Sequence, residues 1–96
     1  MSLYVAVHRH EAERCPAQDR EHAPLLLRHL APENAARYGI TVQGEAVANG
    51  RHTLYLILQA PAEEQVREFL APFAQAGSVD VYPASPCEEV VARAAC

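Results

Sequence analysis

The stretch "ITVQGEAVANGRHTLYLILQA", residues 40–60, holds two β-rich runs on either side of Asn49-Gly50. Asparagine and glycine accept the positive backbone angles that the central positions of a two-residue hairpin turn require. The stretch therefore predicts an antiparallel hairpin with strands at about Ile40 to Ala48 and Arg51 to Gln59. Upstream, "LYVAVHRH" (Leu3 to His10) alternates, with Leu3, Val5 and Val7 on one side and Tyr4, Ala6, His8 and His10 on the other. This is the period of a strand. "EAERCPAQDREHA" is polar, contains a proline and reads as a loop. "PLLLRHLAPENAARYG" has helical composition: Pro24 suits a first turn, Pro32 begins or kinks a second short segment, and Gly39 is placed to end it. Its expected apolar face is Leu26, Leu27 and Leu30. Downstream, "PAEEQVREFLAPFAQAG" predicts a helix opened by Pro61, Glu63 and Glu64, burying Val66, Phe69, Leu70 and Phe73 and made irregular by Pro72. "SVDVYPAS" is a last strand, and the tail, residues 86–96, reads as either a short helix or an edge strand.

The order is β-α-β-β-α-β, an α+β plan in which a four-stranded antiparallel sheet carries both helices on one face. The chain is 96 residues long, which allows a single domain (residues 1–96) with one modest core. Half of the residues are hydrophobic and the net charge is -4, which argues against a nucleic-acid footprint. All eight basic residues are arginine, so Schiff-base chemistry and a phosphate-loop lysine are excluded. No leader-like segment and no membrane-length apolar run is visible, so the expected location is the cytoplasm and the three cysteines, Cys15, Cys87 and Cys96, are expected to be reduced.

In element order, residues 3–83 resemble the ferredoxin-like dimeric α/β-barrel superfamily, which includes small nickel-binding ferredoxin-like proteins, antibiotic-biosynthesis-type monooxygenases, haem-degrading enzymes and stress-responsive barrel proteins. The resemblance implies a homodimer in which the bare sheet face, expected to offer Tyr4, Tyr55, Ile57 and Tyr82, is covered by a partner. It also places the first strand between the third and fourth, antiparallel to both.

That placement brings His8 and His10 toward His52, with Asp80 at the same rim and Cys15 in the loop leaving it. Two imidazoles with a thiolate or a third imidazole make a credible set of ligands for zinc, nickel or copper. The expected metal ligands are therefore His8, His10, Cys15 and His52. Alternation from Leu54, Leu56 and Leu58 places His52 on the helix side of the sheet, with His8 and His10 expected on the other. The bland alternative is a solvated strand end. His22 and His29 read as exposed helix histidines.

Three functions follow from different classes. The first is a small cytoplasmic metal-binding protein serving sequestration or stress handling. The second is a dimeric-barrel enzyme, a cofactor-independent or haem-linked monooxygenase or an isomerase, that uses a histidine on a small organic substrate. The third is a non-catalytic interaction module. Cys15 has a second possible role as a reactive thiol beside Arg14. Serine-hydrolase and phosphate-loop patterns are missing. Glu63-Glu64 and Glu88-Glu89 are adjacent pairs whose side chains diverge on a helix. A cleft lined by Leu26, Leu30, Leu54, Leu56 and Phe69 is expected to be filled as core.

Overall fold

The computed structural model describes residues 1–96. Four strands, β1 (Ser2–Arg9), β2 (Thr41–Ala48), β3 (Thr53–Ala60) and β4 (Ser78–Ala84), form one sheet in the order β2-β3-β1-β4. Every neighbouring pair is antiparallel, so β1 lies between β3 and β4. Between β1 and β2 come two single 3-10 turns (Ala12–Arg14 and Pro16–Gln18) and the helices α1 (Ala23–Leu30) and α2 (Pro32–Arg37). The helices α3 (Glu63–Phe69) and α4 (Ala71–Ala74) join β3 to β4, and α5 (Cys87–Ala92) forms the tail. No helix is long and apolar enough to cross a membrane.

The prolines set the helix boundaries. Pro32 has no N–H to give and opens α2, while Ala31 before it is extended (ψ 146°), which separates α2 from α1. Pro72 does the same to the second helical stretch, which the sequence suggested as one irregular helix and which is in fact two, hinged at Leu70. At the end of α2 the Ile40 N–H donates to the Ala35 carbonyl and the Gly39 N–H to that of Ala36, both at 3.0 Å. This is a Schellman cap, and it needs a left-handed residue at Gly39, whose φ is 74°.

The hairpin forms, but with a different turn. Ala48 pairs with Thr53, so the loop has four residues, Asn49 to His52, and β3 starts two residues later than the Asn49-Gly50 dipeptide suggested. The left-handed positions are Gly50 (φ 72°) and His52 (φ 48°), not Asn49 and Gly50.

One face of the sheet is covered by helices. Tyr4, Ala6, Leu54, Leu56, Leu58 and Val81 are buried there against Ala35, Val66, Phe69, Leu70 and Phe73. The four helical residues expected on the apolar face of the second helical stretch are therefore all in the core. On α1, Leu26 and Leu30 pack against it but Leu27 is 73% exposed, because the inward face runs through Leu26, His29 and Leu30. Tyr4 also differs from expectation. It is paired with Leu58, and facing residues share a side, so Tyr4 lies in the core and the open face carries Tyr55, Ile57 and Tyr82 without it. The expected cleft at Leu54, Leu56 and Phe69 is closed by packing, as anticipated.

Gly77, just before β4, holds the end of β1 in place. A Cβ built on it would lie 2.0 Å from the Arg9 carbonyl oxygen and 3.0 Å from the Cα of His10. Only backbone fits there. Gly77→Ala is expected to destabilise the protein by about 3 kcal/mol through forced displacement of this strand end. Gly39→Ala, which meets only strain at a positive φ, should cost about 1 to 2 kcal/mol. Denaturant unfolding of the two variants checks the order.

Candidate metal centre

His8 is the seventh residue of β1 and pairs with Leu54, and so shares the helix side of the sheet with it. It is 3% exposed and meets the ring of Phe73 edge-on, with centroids 5.2 Å apart. His10 lies one residue beyond β1. Its N–H donates to the His52 carbonyl at 3.2 Å, which carries the pairing of β1 with β3 one step past Arg9 and Thr53. His10 and His52 thus face one another on the same side as His8. The expected separation of His52 from His8 and His10 is wrong, since alternation within a strand does not say which face is inward and the β1–β3 register does. The left-handed backbone of His52 sends its imidazole over that of His10, with centroids 5.2 Å apart.

Cys15 arrives from the other side. After His10 the chain turns through Ala12–Arg14, and the Cys15 N–H closes that turn on the Ala12 carbonyl at 3.3 Å. One ligand atom from each of His10, Cys15 and His52 then lies within 4.8 Å of the others. Bond lengths to zinc of about 2.0 to 2.3 Å imply ligand atoms roughly 3.3 to 3.8 Å apart in a tetrahedral site. Closure requires about an ångström of movement, and Cys15 stands in a surface loop.

Of the four expected ligands, His8 stands outside this group, and its two nitrogens have other partners. Nδ1 is 3.0 Å from the Ser78 carbonyl oxygen, and Nε2 is 3.3 Å from Nδ1 of His10. A carbonyl only accepts, so His8 carries its proton on Nδ1 and offers a lone pair from Nε2. His10 must therefore donate from its own Nδ1. Its Nε2 is left with a lone pair, is buried, and has no hydrogen-bond partner. The chain from Ser78 through His8 to His10 thus fixes the tautomer of His10 and presents a free imidazole nitrogen, as the outer partners of metal-binding histidines do.

Burial, and then the neighbouring His10, holds the His8 imidazole below its ordinary range, against the raising effect of the Ser78 bond. Burial followed by repulsion from His52 lowers that of His10. Both are neutral at neutral pH, the state in which imidazole binds metal.

Other expected residues fall elsewhere. Asp80 pairs with Val7 on the open face, and its carboxylate meets Arg9 at 3.5 Å. His22 is exposed, as expected, and its Nδ1 lies 2.6 Å from an Asp19 carboxylate oxygen. His29 is not an exposed helix histidine. Its Nε2–H donates to the Phe69 carbonyl, its Nδ1 accepts from Asn34 at 3.2 Å, and its ring stacks on Phe69 at 4.8 Å. Its nitrogens tie α1 to α3 through Phe69 and to α2 through Asn34. None of the three cysteines is bridged. Cys87 follows β4 at the Ala84–Leu3 end of the sheet, opposite the end that holds the site.

A cavity of about 1000 Å³ lies beside the centre, under the loop that carries Cys15. Its wall includes Cys15, Arg14, Leu25, Leu26 and Phe73. Sequence reasoning missed this cavity, and it missed the part played by Ser78, whose carbonyl carries no side-chain signal. No protein-family model matches this chain, and no curated protein matches it.

The lowered histidines give a signed pH dependence. Their protonation is disfavoured in the fold and free in the unfolded chain, so the stability they confer is complete above the unfolded value of 6.5 and is lost as pH falls through the lower folded values. The urea midpoint of metal-free protein should drop between about pH 7 and pH 5, and His8→Phe should flatten the profile.

Proposed function

We propose that this chain is a small transition-metal-binding protein, serving metal sequestration or stress handling, with His10, Cys15 and His52 as ligands and His8 as their buried support. The observation that carries this reading is the orphaned, buried Nε2 of His10, on an imidazole of fixed tautomer that stands together with a thiol and a second imidazole. An unsatisfied buried nitrogen costs about 1 to 3 kcal/mol, and a metal ion would satisfy it. Two imidazoles and a thiolate suit zinc, copper or nickel rather than calcium or magnesium.

The wider setting belongs to the same proposal. The strand order and one-sided helices suit a ferredoxin-like domain, and the exposed Tyr55, Ile57 and Tyr82 suit a homodimer that pairs two open sheet faces in the manner of a dimeric barrel. Three unbridged thiols suit the reducing cytoplasm. The cavity beside Cys15 favours a second reading, an enzyme of the dimeric-barrel type acting on a small organic molecule.

Elemental analysis of untagged protein, with its mass in solution, tests the first reading. A metal ion retained on each chain of a dimer is expected. His10→Ala should abolish retention with the fold intact, and His22→Ala should leave it unchanged. His8→Asn should weaken binding roughly 10- to 100-fold without abolishing it. Retention that survives His10→Ala would overturn the assignment.

A further inference from the structure

The three ligands His10, Cys15 and His52 leave a tetrahedral ion one ligand short. Cys15 belongs both to this group and to the wall of the neighbouring cavity, whose lining also includes Leu25, Leu26 and Phe73. Building on the metal reading above, we propose that the fourth position takes the carboxylate of a small aliphatic acid, whose head sits on the metal beside Arg14 and whose apolar body lies in this cavity.

Charge supports a monoanion. A divalent ion held by two neutral imidazoles and one thiolate retains a single positive charge. In the cavity wall the two arginines, Arg14 and Arg20, are matched by two carboxylates, Glu13 and Asp19, so an added negative charge would answer the charge of the metal centre itself. Arg14 is also free to receive it. The arginine ion pairs of the protein involve Arg9 and Arg67, and Arg14 makes only a 3.4 Å contact with the Gln75 carbonyl. An incoming carboxylate would displace no acidic partner. Arg14 further lines a smaller concavity with His10, Glu11 and Ser78, so it stands between the two sides of the centre.

Shape supports an apolar body. The cavity is at the upper end of the size range for small-molecule sites, and Leu25 is 52% exposed along it. His29 also lines it, but both of its nitrogens are engaged, so it presents only its ring.

The test uses full-length protein loaded with cobalt(II), whose thiolate charge-transfer and ligand-field bands report the ligand set. Titration with straight-chain carboxylates from acetate to hexanoate should change the ligand-field bands. Affinity should rise by roughly threefold for each methylene added. Arg14→Gln should retain cobalt with an unchanged starting spectrum and bind each acid roughly tenfold more weakly. Three outcomes would overturn the proposal. If the protein takes up no cobalt, the metal reading itself falls. If it binds cobalt but its bands ignore carboxylates, the metal reading stands and the fourth position is closed or held by water. If all chain lengths bind equally, the metal takes the carboxylate but the cavity does not take the chain.

Discussion

Side chains on a strand alternate between faces, so sliding β1 by one residue against β3 would turn Tyr4, Ala6 and His8 out of the core and put Val5 and Val7 in their place. The observed register sets Tyr4 against Leu58, Ala6 against Leu56 and His8 against Leu54, and it ends in the hydrogen bond from the His10 N–H to the His52 carbonyl. The same ladder thus fills the core and brings two imidazoles together at its end. Gly77 reinforces the arrangement from the other side, since its bare backbone lets the strand end approach closely enough for the Ser78 carbonyl to reach His8.

Polar chemistry at this rim is set into an apolar layer. Phe73 packs on His8 while also closing the core and lining the cavity beside Cys15. A change in that ring would be felt in stability, in the orientation of His8 and in the cavity. Burial keeps the histidines neutral, the protonation state that coordination of a metal would need. His29 shows the contrasting use of the same side chain, with both nitrogens satisfied by neighbouring helices and none left for a ligand.

The two halves of the site differ in rigidity. His8 and His10 belong to the central strand and its continuation, which is bonded on both sides. Cys15 is held only by short 3-10 turns in a surface loop. The open sheet face is the other uncommitted surface, with Tyr55 and Ile57 each 44% exposed and Tyr82 53% exposed.

By itself the sequence determined the four strands and the helical stretches between them, because alternation in Leu3 to His10, the prolines at 24, 32 and 72 and the glycine at 39 act locally on the backbone. The strand order that the resemblance implied brought His8, His10, Cys15 and His52 to one rim, but alternation alone set His52 on the opposite face from His8 and His10. Local rules fell short at the hairpin turn, where Asn49-Gly50 is a strong signal but the pairing of Ala48 with Thr53 lengthened the loop and gave His52 its left-handed backbone. Only the tertiary structure decided which face of β1 is inward, that Tyr4 is core and Leu27 is not, and that His8 supports His10 through Ser78. Each of these depends on which surface a distant element covers, a relation between residues up to 70 positions apart that no local pattern encodes.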